Sequence, residues 1–142
     1  MSAPPTSRHT TLTTRGWRDS CAALGVTTKT NQTGAPTFVA LEVALEAIVS
    51  LRGVVALIRK HSPRLAEQVQ DAASSVPANV AEGNRREGKD KVRFFRIAAG
   101  SADETRTHLR TALAWGWVNE QDIQASMHLL DRELALLWRL TH

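Results

Sequence analysis

The sequence contains one cysteine, few aromatic residues and no long apolar run, and these shortages narrow the classes of protein to which it can belong. The single cysteine, Cys21, cannot form an internal disulfide, which argues against a disulfide-stapled secreted domain and favours a reducing cytoplasm. No stretch of about 18 apolar residues occurs, so no membrane span is expected. Aromatic residues make up only 5% of the chain, and the abundance of Leu, Ala and Val favours helices over strands.

The composition of the chain changes near residue 37. Residues 1–37 contain ten threonines, and their four basic residues against one acidic residue account for most of the net charge of +4. Such a segment buries too little surface to offset its ordering entropy. The sequence therefore predicts a disordered basic tail over residues 1–37 and a single folded domain over residues 38–142. Two alternatives for the tail stay open: an organelle transit peptide, or an extension translated from an upstream start codon.

Beyond residue 37, apolar residues recur at steps of three and four, which predicts amphipathic helices. Four such faces follow one another: Leu41, Ala44, Leu45, Ile48, Leu51, Val55 and Ile58; Leu65, Val69, Ala72, Ala73, Val76 and Val80; Phe95, Ala98, Ala102, Thr105, Leu109, Ala112 and Leu113; Ile123, Met127, Leu130, Leu134, Leu137 and Leu140. The connections are short, so neighbouring helices should run antiparallel. The predicted fold is all-α, an antiparallel up-down four-helix bundle.

Polar residues mark where the helices should begin. Thr37 is a candidate N-cap for the first helix, and Ser62 caps the second with Pro63 at its first position. Asn119 precedes the fourth helix, and Asp122 stands three residues later in a box-like arrangement.

Glycine and proline predict where the helices end or bend. Gly83 should end the second helix and Gly116 the third. Pro77, inside the second helix, lacks the N–H that the helical ladder needs and should produce a kink. Gly100, in the third helix, should allow the close approach of a facing helix, because it has no side chain.

Two segments are more specific than a buried core requires. Residues 68–83 read QVQDAASSVPANVAEG, and residues 97–104 read IAAGSADE. Together they resemble the signature of the four-helix-bundle family named after proteins encoded in intervening sequences of bacterial 23S ribosomal RNA genes. The resemblance extends over about residues 38–140. The sequence departs from the family's pattern at Gln70 and Asp71, near which arginine is usual, and this weakens the case for a basic surface there.

The resemblance implies a four-helix protomer that assembles into a homopentameric ring. A related branch of proteins serves diversity-generating retroelements as an accessory protein that binds a reverse transcriptase and nucleic acid. Trp115, Trp117 and Trp138 lie near helix ends, where they do not all fit inside one protomer's core, which also favours a homo-oligomer.

The two signature segments contain four polar residues, Asn79, Glu82, Ser101 and Glu104. One interpretation is a polar network that joins the second helix to the third near Pro77. The other is an interface or ligand site that uses Glu82 and Glu104.

A basic cluster follows the second helix. It predicts nucleic-acid binding through Arg85, Arg86, Lys89, Arg93 and Arg96. Steps of four and three place the last three of these in one stripe along the third helix. No aromatic platform is interleaved with them, so contact with the nucleic-acid backbone is expected and base reading is not. A solvated surface remains the alternative, since Glu87 and Asp90 are interleaved.

Catalytic patterns are scarce. The sequence has no nucleophile elbow and no Glu-x-x-His motif, and the pair Glu104 and His108 is typical of a solvated contact one helical turn apart. We therefore expect no catalytic residue, metal or cofactor. Two main hypotheses follow: a non-enzymatic oligomeric bundle that binds RNA or DNA backbone, or a scaffold that docks a protein partner such as a reverse transcriptase and does not itself touch nucleic acid. A bundle that binds a small molecule or a metal is the third alternative.

Overall fold

The computed structural model describes residues 36–142, which form four helices and no strand. The helices are α1 (Pro36–Arg59), α2 (Pro63–Asn84), α3 (Gly88–Ala114) and α4 (Glu120–Thr141). This confirms the predicted all-α, four-helix fold. Residues 1–35, which make up nearly all of the predicted tail, lie outside the described residues. None of the helices within residues 36–142 is long and apolar enough to cross a membrane.

The helices pack in a closed cycle. Each contacts its neighbour in the chain, and α1 also contacts α4. Between α2 and α3, Ser75 bonds to Ser101 and Gly83 packs on Phe95. The contact residues therefore increase in residue number along α2 while their partners decrease in residue number along α3. This arrangement is compatible with the antiparallel up-down bundle that short connections favour. Phe95 is the largest fully buried side chain in a core that consists mostly of Ala, Val, Leu and Ile.

Two helix starts carry the predicted caps. The Ser62 hydroxyl accepts a hydrogen bond from the Leu65 N–H at 3.1 Å, and Pro63 is the first residue of α2. At α4, the Asn119 side chain accepts from the Asp122 N–H, and the Asp122 carboxylate accepts from the Asn119 N–H, both at 2.9 Å. Each cap satisfies backbone donors that the first helical turn leaves free. Both predictions are confirmed.

Gly116 ends α3, as predicted, through a Schellman motif. Its φ of +74° lies in the left-handed region that glycine occupies without steric cost. The Gly116 N–H donates to the Leu113 carbonyl and the Trp117 N–H donates to the Ala112 carbonyl, both at 3.0 Å. These are the two bonds of the motif, and they fix the direction in which the chain leaves α3.

Two other local predictions are wrong, and a third stays a prediction. Helix α1 begins at Pro36, so Thr37 lies inside the first turn and is not its N-cap. Helix α2 continues to Asn84, so Gly83 is a buried helical residue and not the terminator. Pro77 lies within α2, which is continuous from end to end; the kink stays a prediction.

The buried face of α4 also differs from the apolar stripe predicted for it. Its buried residues are spaced 3, 4, 3 and 4: Ile123, Ser126, Leu130, Glu133 and Leu137. Met127 and Leu134, which were predicted to be core residues, are only partly buried. Counting apolar residues alone shifted the stripe by one position, because two members of the true face are polar.

Candidate nucleic-acid interface

The basic residues surround the connection between α2 and α3. The Arg85 N–H donates to the Glu82 carbonyl at 3.0 Å and the Arg86 N–H donates to the Gly83 carbonyl at 3.1 Å, which closes the end of α2. Glu87, with an extended backbone, then stands at the N-cap position of α3. This tight turn brings the basic residues that end α2 and those that start α3 to one end of the bundle.

Three of the five predicted basic residues share one surface. Lys89, Arg93 and Arg96 are exposed and, together with Gly88, Val92 and Ile97, line an open depression of about 920 Å³. Ile97 is 40% exposed and forms part of the apolar floor. We call Lys89, Arg93 and Arg96 the basic stripe. All the lining residues belong to α3, so the basic stripe follows one exposed face of a single helix.

Arg86 joins the basic stripe through an aromatic ring. The Arg86 guanidinium lies 5.5 Å from the centre of the Phe94 ring, and the Arg93 guanidinium lies 5.7 Å from the same centre. Both distances are typical of cation–π contacts. Phe94 was missed in the sequence reasoning, which found no aromatic residue among the basic ones, although it directly follows Arg93. Since two guanidiniums already contact its ring, Phe94 holds the cations in place and offers no free platform for a base.

Few carboxylates neutralise this surface. Arg86 Nε donates to Glu82 Oε1 at 2.7 Å. Among residues 36–142, no carboxylate forms an ion pair with Arg85 or with any member of the basic stripe. Positive charge at the first turns of a helix opposes the helix dipole, so the stability of α3 does not explain the basic residues at its start. The interleaved acids Glu87 and Asp90 are exposed and do not pair with these cations.

A polar network joins α2 to α3, and it centres on Ser75, which was not predicted. Asn79 Nδ2 donates to the Ser75 carbonyl at 2.8 Å and to Ser75 Oγ at 2.9 Å, and Ser101 Oγ donates to Ser75 Oγ at 2.9 Å. Ser75 therefore links α2 to α3. Glu82 and Glu104 are not joined to this network, since Glu82 binds Arg86 and Glu104 lies 3.3 Å from His108 on an exposed face.

Comparison with known proteins decides the family. The model of the 23S rRNA-intervening sequence protein family matches residues 40–139. The chain belongs to this family. The matched range includes most of each helix and both signature segments, so the resemblance inferred from the motifs is confirmed. No match was found among curated proteins or among solved structures.

Of the two glycines in the signature segments, Gly83 makes the close helix contact that was predicted for Gly100. A Cβ placed on Gly83 would lie 2.8 Å from two carbons of the Phe95 ring and 3.1 Å from the Phe94 Cβ. Gly100 is exposed, and a Cβ there would meet nothing within 4 Å. The close approach predicted at Gly100 therefore occurs at Gly83, where α3 packs its aromatic residue directly on the backbone of α2.

Glu133 is a buried acid that the sequence reasoning did not single out. It is fully buried in α4, and neither carboxylate oxygen has a hydrogen-bond partner among the described residues. The narrow space beside it leaves no room for water and is otherwise lined by Ala44, Ala47, Ile48, Ala73, Val76 and Leu130. Burial raises the pKa of the Glu133 carboxyl to about 8, although the positive charge of Arg132 opposes the change.

The other residues considered as metal ligands form no cluster within residues 36–142. Within the part of the chain that the structure describes, no three His, Cys, Asp or Glu side chains cluster as metal ligands. Glu104 and His108 lie one helical turn apart on α3, with Glu104 exposed and His108 half-buried. Cys21 lies outside the described residues.

Proposed function

We propose that the protein is a non-enzymatic, homo-oligomeric bundle that binds the backbone of RNA or DNA through the basic stripe, assisted by Arg85 and Arg86. The observation that carries this proposal is the arrangement of Lys89, Arg93 and Arg96 around one open depression, with no carboxylate of residues 36–142 paired to them. Phosphate is the anion that clustered arginine and lysine bind most commonly in this way.

The stripe favours recognition of the backbone over recognition of bases. Its ligating groups are cationic, and the neighbouring Phe94 ring is already contacted by two guanidiniums. Contacts to phosphate position a protein on nucleic acid without reading its sequence. We therefore expect binding that depends on salt and little on sequence.

Assembly would strengthen this binding. Trp138 is 63% exposed, and a large apolar side chain left in water favours a contact between copies. The family resemblance suggests five copies in a ring, which would repeat the basic stripe on one particle and raise its avidity. The single cysteine suits the cytoplasm, the compartment we propose.

Anisotropy titrations with labelled RNA and DNA at two salt concentrations test the binding proposal. Replacing Arg86, Lys89, Arg93 and Arg96 together by Ala should weaken binding for every sequence and reduce its salt dependence, because each neutralised phosphate releases counterions. Reversing the charges of Arg8, Arg15 and Arg18 is the control. We call the fourfold alanine replacement the stripe variant. Loss of binding in the control, with binding retained in the stripe variant, would contradict the proposal and assign binding to residues 1–37.

The second candidate is a scaffold that docks a protein partner, such as a polymerase, without touching nucleic acid. The exposed Trp138, whose ring stacks on His142 with 3.5 Å between centres, is the observation that favours it. This candidate takes the lead if the wild-type protein shows no salt-sensitive binding near physiological ionic strength. Light scattering at micromolar concentration tests assembly in either case, and we expect a mass several times 15.6 kDa.

A further inference from the structure

A stack of aromatic rings lies where the connection between α1 and α2 meets the connection between α3 and α4. The rings of His61 and Trp117 have centres 5.8 Å apart and planes 4° apart. The rings of Trp115 and Trp117 have centres 5.7 Å apart and planes 13° apart. We call these three residues the aromatic stack. Its rings are nearly parallel, so it presents flat surfaces and not an irregular apolar patch.

The backbone beneath this stack is held from both sides. The two Schellman bonds at Gly116 fix the end of α3, and the capping box of Asn119 and Asp122 fixes the start of α4. Between them, Val118 is only 6% exposed and anchors the loop to the core. A rigid loop loses little conformational entropy when a ligand binds, so the two indoles are preorganised.

The two tryptophans of the stack have different exposures. Trp117 packs against the hydrophobic core and is partly buried, so it contributes to the stability of the fold. Trp115 is 68% exposed, and its ring stacks on Trp117. Core packing therefore accounts for Trp117 but not for Trp115, whose large flat ring remains accessible to a ligand.

Basic residues flank His61 of the aromatic stack in the chain. Arg59, Lys60 and Arg64 are exposed and lie within three residues of His61 in the chain. Arg59 donates a hydrogen bond to Gln70, and no carboxylate of residues 36–142 forms an ion pair with any of the three. Proteins that bind single strands combine aromatic side chains, which stack on bases, with cations that contact the phosphates. An apolar contact with a second copy of the chain would not need these charges.

We propose that the aromatic stack binds an unpaired base of a single-stranded nucleic acid, with the base stacked on Trp115 and the flanking phosphates near Lys60 and Arg64. This inference rests on the proposed function and adds a second contact to it. The stack lies at the end of α3 opposite to the basic stripe, and the 27 residues of α3 span about 40 Å at 1.5 Å per residue. A base can stack there only if it is free of a duplex, so this contact distinguishes single from double strands.

Titration of a labelled single strand of about 20 nucleotides, longer than the usual site of one binding domain, tests the proposal against its own duplex. Trp115→Ala should weaken single-strand binding by about 5- to 150-fold, the range expected for one stacked base, and should leave duplex binding unchanged. Trp115→Phe should retain most of the affinity. The single strand should also quench indole fluorescence in the wild type and quench it less in Trp115→Ala.

Trp138→Ala is the matched control, because Trp138 is exposed to a similar degree, at 63%, and belongs to α4. It should bind the single strand like the wild type when light scattering gives both proteins the same particle mass. Unchanged single-strand affinity in Trp115→Ala, with affinity lost in the stripe variant, would overturn the aromatic site and leave the proposed function standing. Equal losses for single strand and duplex, or a lower particle mass with unchanged affinity, would identify Trp115 as a contact between copies. Absence of any binding by the wild type would overturn both proposals.

Discussion

The bundle buries polar groups in two regions that differ in how those groups are satisfied. Between α2 and α3, Ser75, Asn79 and Ser101 bond to one another at 2.8–2.9 Å. In α4, Glu133 is fully buried, more deeply than Ser75 and Asn79, yet neither of its carboxylate oxygens has a partner among the described residues. Hydrogen-bonded polar groups add a modest net stability, whereas a buried group without partners retains its full desolvation penalty.

This difference separates residues that specify the fold from a residue that opposes it. The serine and asparagine network can form in only one register of α2 against α3, so it selects that register. The carboxyl of Glu133 specifies no such contact, and the surrounding apolar side chains favour its neutral form. Substitutions in the two regions should therefore change stability in opposite directions.

The largest effect is expected at Glu133, as a dependence of stability on pH. Below about pH 4.5 the carboxyl is protonated in both the folded and the unfolded chain, so it imposes no ionisation penalty. Above this pH the unfolded chain releases the proton, while the folded chain keeps it until about pH 8. The free energy of unfolding should fall by up to about 1.4 kcal/mol per pH unit across this window, roughly 4–5 kcal/mol in total.

Replacement of Glu133 by Met, an unbranched apolar residue of similar size, should remove that slope. Urea unfolding at about pH 8 should show a stabilisation of several kcal/mol over the wild type, and a smaller one at pH 5. Glu67→Gln, at an exposed site with no ion pair among the described residues, is the control and should leave the pH profile as it is. A wild-type protein that becomes steadily more stable between pH 5 and pH 8 would contradict the burial of an unpaired carboxyl.

Two glycines should give effects of opposite sign. Gly83→Ala places a methyl group against the Phe95 ring, which is buried and has little freedom to move. Overpacking of this kind costs about 1–3 kcal/mol, of which the better helix propensity of alanine offsets up to about 1 kcal/mol. Gly100→Ala meets open space and should stabilise the protein by about 0.5–1 kcal/mol. Thermal unfolding of both variants measures the contrast, and equal shifts would refute the close contact at Gly83.

A smaller effect than at Glu133 is expected at Ser75. Ser75→Ala removes the hydroxyl that links Asn79 to Ser101 and should lower the free energy of unfolding by about 1–2 kcal/mol, since Ser101 loses its partner across the interface. Combining it with Ser101→Ala should recover part of the loss, because two apolar groups then face each other. A double variant that loses the sum of the two single effects would show that the two hydroxyls are not coupled.

Features that depend on neighbouring residues in the chain could be predicted from the sequence. The caps at Ser62 and Asn119 and the end of α3 at Gly116 each arise from a few consecutive residues, so their patterns were sufficient. The role of Gly83 was not accessible in this way, because it depends on the position of Phe95 in another helix. Glu133 and Ser126 escaped prediction because a periodicity based on apolar residues omits polar members of a buried face.

The grouping of the basic residues was predictable to a similar extent. The steps of four and three among Lys89, Arg93 and Arg96 follow from helix geometry, and these three residues do share one surface. The orientation of Arg86 was not predictable, because it depends on the Glu82 carboxylate and on the Phe94 ring. Its position reflects packing across a turn, which a linear pattern does not encode.

The stacked indoles also give the molecule an internal optical probe. Two chromophores with centres 5.7 Å apart and planes 13° apart couple their electronic transitions, so Trp115 and Trp117 should contribute an exciton signal to the circular dichroism spectrum. That signal depends on the geometry of a single loop, whereas helical ellipticity depends on all four helices. Following both during heating would reveal whether this end of the bundle loosens before the rest of the chain unfolds.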